Sequence, residues 1–110
     1  ATTVRVPVFF GHSEAISIEL KTKFQLADII SLLEKSPGLI VSPENKEGQY
    51  PTAAVTAAAS DAVYVGRIRR DISTDSGLNL WVVADNVRKG AALNSIQIAE
   101  ILIAEYLSNC

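Results

Sequence analysis

The C-terminal stretch constrains the fold more than any other feature. From about Val87 to Ser108 the chain reads as one helix. Ala92, Ile96, Ala99, Ile103 and Leu107 fall on a single helical stripe, and Ile98 and Leu102 widen it. Asn94, Gln97, Glu100, Glu105 and Ser108 cover a narrower polar strip. A helix that is apolar over more than half its circumference is expected to pack against two layers, not one. Its most apolar part, Ile96 to Leu107, is interrupted by Gln97, Glu100 and Glu105. No run therefore approaches the ~20 apolar residues that a membrane-spanning helix needs.

Upstream the hydrophobic period alternates between two and 3.6. Thr3 to Phe10 reads TVRVPVFF, with Val4, Val6 and Val8 alternating in the manner of a half-buried strand. Pro7 has no N–H to donate, which places this strand at a sheet edge or at a bulge. After the Gly11-His12 break, Ile16, Ile18 and Leu20 resume the alternation. Leu26 to Glu34 switches to helical spacing: Leu26, Ile29, Ile30 and Leu33 share a face. Thr22 and Gln25 are spaced as a capping box, and Pro37-Gly38 ends the helix.

Gly38 to Val41 is a short apolar strand, Ser42 to Pro51 a polar loop, and Thr52 to Ser60 fits either extended or irregular structure. Ala62 to Arg70 and Leu78 to Ala84 read as strands, joined by a turn-rich Ser73 to Gly77 in the manner of a hairpin. The order strand, strand, helix, strand, strand, strand, helix predicts an α+β fold, a mostly antiparallel or mixed sheet covered by helices.

A length of 110 residues is that of one domain, and 48% hydrophobic residues exclude a disordered chain. The net charge of −2 supplies no basic face to neutralise phosphates, so nucleic acid is not an expected partner, and without a spanning apolar run neither is a membrane. A lone cysteine, Cys110, permits no internal disulfide, which predicts a reducing, cytoplasmic setting. The chain contains no Met and opens at Ala1 directly into a strand-like run, as expected either of removal of an initiator Met or of a piece of a longer protein.

The inventory for chemistry is sparse. One His and one Cys cannot build a zinc site, so no metal is expected, and no phosphate-cradling glycine loop or dinucleotide fingerprint is present. What remains is a polar cluster of Arg5, His12, Ser13 and Glu14. An imidazole suits general acid–base work, and a guanidinium presents a fixed fork to a carboxylate or phosphate. Along a fully extended strand Arg5 lies about 20 Å behind His12, so both reach one small ligand only if the chain turns or bulges. Otherwise Arg5 is a solvated strand residue and His12 a turn residue.

Asp85-Asn86, just ahead of the last helix, reads as an ordinary N-cap or as an amide that holds a polar ligand group. Arg67 and Arg69 share one strand face and Arg70 the other, the pattern of a solvated or interface surface.

Three blocks, RVPVFFGHSEA (5–15), YVGRIRRD (64–71) and LWVVADNVRKGAALNSIQIAE (80–100), together resemble the C-terminal part of bacterial aspartate-semialdehyde dehydrogenases. The likeness spans nearly the whole chain, with the blocks in order. It implies part of a glyceraldehyde-3-phosphate-dehydrogenase-like C-terminal domain, which supplies catalysis and the dimer interface. The implied reaction is the NADP-dependent reductive dephosphorylation of aspartyl phosphate to aspartate semialdehyde, on the route to lysine, threonine and methionine. By position His12 resembles the acid–base histidine, Arg5 the arginine that binds the substrate carboxylate, and Asn86 the amide that contacts the nicotinamide carboxamide.

The family's nucleophilic cysteine and its nucleotide domain lie upstream in that family, and Cys110 does not match the nucleophile. The resemblance thus implies that residues 1–110 are a C-terminal catalytic and dimerisation fragment. The chain is expected to be inactive alone, to bind NADP poorly and to form homodimers or larger self-associated species. The alternative is a stand-alone, non-catalytic association or small-ligand-binding module.

Overall fold

The structure is a computed structural model that describes residues 1–42 and 48–107. Cys110, Ser108 and the middle of the polar loop after Ser42 lie outside the described residues. Strands β1 (His12–Glu19), β2 (Leu39–Val41), β3 (Val63–Arg70) and β4 (Gly77–Ala84) form one sheet in the order β1-β4-β3-β2. β4 runs antiparallel to both neighbours, whereas β2 pairs parallel to β3. The sheet is mixed and the class α+β, as the changes of period predict.

Helix α1 (Leu26–Glu34) has the bounds its apolar spacing predicts. Leu26, Ile29, Ile30 and Leu33 lie against one sheet face, around buried Val65, Ile68 and Leu78. The capping box does not form: Gln25 is the N-cap and no side chain bonds the first turn. Packing of the apolar stripe carries this helix without it. The opposite face is covered by residues 51–60, where Ala53 and Ala57 press on Val83. That segment is a run of turns: Thr56 and Ala57 donate backbone N–H bonds to Thr52 O at 3.0 and 3.1 Å. Small alanines let backbone approach the sheet closely, which explains a composition that favours neither helix nor strand.

Two expectations fail. Thr3 to Phe10 forms no strand. Its one backbone bond within the segment is a tight turn around Pro7, from Val8 N–H to Val6 O at 2.9 Å. Proline denies the ladder a donor, and β1 is left as the edge strand of the sheet. Only Val8 reaches the core, and Phe9 is 99% exposed.

The last helix is the second correction. It comprises a π-helical turn (Arg88–Ala92), α2 (Leu93–Leu102) and a second π-helical turn (Ile103–Leu107), and none of these residues is buried. Its apolar stripe is therefore not buried between the two layers it was expected to join; Ile96 and Leu107 are more than half exposed. The π-helical turns also rotate the side chains away from an ideal 3.6-residue period. Among the described residues no helix is long and apolar enough to cross a membrane.

β3 carries a bulge. Gly66 pairs with Trp81 and Arg69 with Asn79, so three steps on β3 match two on β4, and Arg67 takes a left-handed φ of 52°. Alternation is reset there, and the common face expected for Arg67 and Arg69 is no longer set by it. Beyond the bulge Arg70 turns towards α1's side of the sheet, with its guanidinium 4.4 Å from the Phe24 ring centre and bonded to Phe24 O.

Candidate functional site

The singled-out residues gather where β4 ends and β1 begins. His12 opens β1 opposite Ala84, the last residue of β4, and Asp85 and Asn86 follow directly. His12 and Glu14 are two positions apart on a strand and so share a face. His12 Nε2 stands 3.3 Å from a Glu14 carboxylate oxygen, both side chains being about half exposed.

Gly11 makes the approach to His12. Its φ of +85° lies in the left-handed region, and a Cβ there would stand 3.1 Å from both Ala53 Cβ and Ala84 O. Only glycine fits that conformation beside that backbone. Its N–H donates to Asn86 Oδ1 at 2.9 Å, a bond between residues 75 positions apart.

Asp85 anchors the other half. It is buried, and its carboxylate accepts three backbone N–H bonds: from Ala59 at 2.9 Å, Val87 at 2.9 Å and Arg88 at 3.2 Å. The Ala59 bond, foremost, holds the carboxyl below the usual carboxylate range; desolvation opposes it, and the Arg88 and Val87 N–H groups and the Arg88 charge assist. Ala59 has a left-handed φ of 60°, so Asp85 also holds a strained turn of the covering segment. Arg88 pairs with Asp61, chiefly through a hydrogen bond to its carboxylate, which raises the guanidinium further above its usual value.

The structure thus brings His12, Glu14 and Asn86 to one end of the sheet. Arg5 is exposed in the irregular N-terminal segment and, among the described residues, makes no hydrogen bond or ion pair. Asp85 proves to be an N-cap in effect, as its ordinary reading holds, but its bond to Ala59 was not legible. The Gly11–Asn86 bond was missed as well, while the period-two spacing of His12 and Glu14 carried the signal for their pairing. Among the described residues no group of three or more His, Cys, Asp or Glu side chains is placed to hold a metal ion. A cavity of about 330 Å³ lies at the other end of β4, lined by Arg70 to Asp75, and holds none of these residues.

Among the described residues, then, a small mixed sheet carries a histidine at one strand end and an amide two residues beyond the end of the neighbouring strand. Residues 1–89 match the family described as "Semialdehyde dehydrogenase, dimerisation domain", and the chain belongs to that family. Over 105 residues it is 56% identical to an aspartate-semialdehyde dehydrogenase of Shewanella sp. (strain DB6705), a match covering 96% of this chain and 30% of that protein. An aspartate-semialdehyde dehydrogenase of Legionella pneumophila is 56% identical over 106 residues, covering 96% and 30%. Among solved structures, aspartate semialdehyde dehydrogenase II from Vibrio cholerae, complexed with ASA, superposes with a TM-score of 0.80 at 47% identity, covering 93% of this chain and 30% of that one. The chain therefore spans about 30% of the length of the relatives it matches.

Proposed function

We propose that this chain is the C-terminal catalytic and dimerisation portion of an aspartate-semialdehyde dehydrogenase. The whole enzyme would carry out the NADP-dependent reductive dephosphorylation of aspartyl phosphate to aspartate semialdehyde, in the cytoplasm. The observation that carries the reading is the Gly11–Asn86 bond, because it joins the two blocks that hold the acid–base and cofactor residues at one sheet end. A small-molecule substrate and a second copy of the chain are its partners.

In this reading His12 is the general acid–base group. Its imidazole takes the proton from the attacking thiol and returns one to the departing group. Glu14 lies beside Nε2 and turns the ring. Arg5 binds the substrate carboxylate through the guanidinium fork. Its freedom from internal partners among the described residues leaves that fork available.

Asn86 is exposed, and its oxygen is taken by Gly11, so the amide offers its N–H donors outward. That donor set fits the carbonyl oxygen of a nicotinamide carboxamide. When bound, the nicotinamide supplies or accepts the hydride. The thiolate nucleophile and the dinucleotide fold come from the remaining polypeptide.

The test is steady-state kinetics of the full-length enzyme. Arg5→Lys should raise KM for the carboxylate substrate at least about tenfold with a smaller change in kcat, since a point charge cannot reproduce the fork. The 110-residue chain alone should show no NADP-dependent turnover. Unchanged KM in Arg5→Lys, or turnover by the isolated chain, contradicts the reading.

A further inference from the structure

We infer that Asn86 is a positioning residue for His12, acting through the backbone N–H of Gly11. The inference deepens the proposed function and rests on its assignment of His12 as the acid–base group.

The geometry leaves Gly11 little freedom. Ala53 and the Ala84 carbonyl close the space around its Cα, its φ is left-handed, and the Asn86 carbonyl holds its N–H at 2.9 Å. From His12 onward the backbone is paired to β4, starting opposite Ala84. Gly11 is thus the last joint before the ladder, and the one at which His12 can be re-aimed. Asn86 is itself held, because the preceding Asp85 is buried and accepts three backbone N–H bonds. A clamp of this kind sets the exit angle of the strand without touching the imidazole.

The partner's chemistry also fixes which way the Asn86 amide points. A backbone N–H can only donate, so the group facing Gly11 must be the oxygen and the NH₂ group must face away. One amide then has two separable ends: the oxygen positions His12, and the nitrogen meets a ligand acceptor. Asn86→Asp keeps the first and removes the second; Asn86→Leu removes both at similar volume.

The experiment has three arms. In the unmodified chain, NMR should detect a through-bond coupling between the Gly11 amide nitrogen and the Asn86 side-chain carbonyl carbon. Second, amide exchange at Gly11 should accelerate about tenfold in Asn86→Leu, the equivalent of one hydrogen bond, and stay within about threefold in Asn86→Asp. Third, in the full-length enzyme Asn86→Leu should lower kcat about 10- to 100-fold, as expected of a misplaced catalytic group. Asn86→Asp should recover most of kcat while keeping a raised KM for the nicotinamide cofactor.

Absence of the coupling in the folded chain overturns the inference even if neither variant folds. So does Asn86→Leu with unchanged Gly11 exchange and unchanged kcat, or Asn86→Asp with a kcat no better than that of Asn86→Leu. A His12→Ala enzyme that keeps near-normal kcat instead defeats the acid–base reading, and the coupling and exchange results separate that failure from this one.

Discussion

Replacing Gly11 by alanine should destabilise the domain through two separable effects. A side chain at a left-handed φ of +85° costs about 1–2 kcal/mol. The added methyl would also stand 3.1 Å from Ala84 O and 3.3 Å from Ala53 O. Both are backbone atoms, so neither can swing aside, and overpacking of this kind costs about 1–3 kcal/mol. The reduced entropy of the unfolded chain returns about 0.4–1 kcal/mol. The net loss is about 1–4.6 kcal/mol, which at ~2 kcal/mol/M lowers the urea midpoint by about 0.5–2.3 M.

Trp81 is the natural probe. It is the only tryptophan, and its indole N–H donates to Pro51 O at 2.9 Å, two residues from the Ala53 that the new methyl would strike. Gly38→Ala is the control: its φ is +77°, but the nearest neighbour is the tip of Lys89 at 3.8 Å. That change should cost only the conformational part, about 1–2 kcal/mol, offset by the same entropy. If Gly11→Ala unfolds at the same urea concentration as Gly38→Ala, the close packing assigned to Gly11 is wrong.

Two further outcomes follow from the same geometry. The Asp85 carboxyl is held below its usual range, so its contribution is fully present above the unfolded carboxylate value of about 4 and is lost as the pH falls through the lower folded value. Asp85→Asn should lower stability near neutral pH and flatten its dependence on pH in the acid range; an acid unfolding profile parallel to that of the unmodified chain counts against the clamp. The last helix exposes Ile96, Ile98, Ile101 and Leu102, each by roughly half, and the chain should therefore self-associate in sedimentation velocity, with Ile96→Lys shifting it towards monomer. A single monomeric species at high concentration refutes this.

Elements governed by local pattern were legible in the residues. Leu26, Ile29, Ile30 and Leu33 define α1 because a helix carries its own backbone hydrogen bonds and needs only one apolar stripe. Strands β3 and β4 were legible for the analogous period-two reason. Thr3 to Phe10 has the same alternation yet forms no strand; a strand also needs donors for the ladder, and Pro7 removes one in the middle of the segment. The bulge at Arg67 was hidden because a left-handed arginine leaves no signature in a run of strand-forming residues.

The site divides along the same line. His12 and Asn86 stood out by residue type and by resemblance, and His12–Glu14 follows from strand parity. The bonds from Gly11 to Asn86 and from Ala59 to Asp85 join segments 75 and 26 positions apart, and no local period encodes them. Arg5 remains the residue whose role rests on its likeness to the family, since its segment is irregular and its guanidinium unpaired among the described residues.

In the proposed function the His12 imidazole moves protons during turnover. The most direct test is the full-length enzyme carrying His12→Ala, assayed with and without added imidazole. The expected result is a kcat about 10²- to 10⁴-fold below that of the unmodified enzyme, recovering in proportion to imidazole concentration. A variant that turns over within a few-fold of the unmodified enzyme, with no response to imidazole, contradicts it.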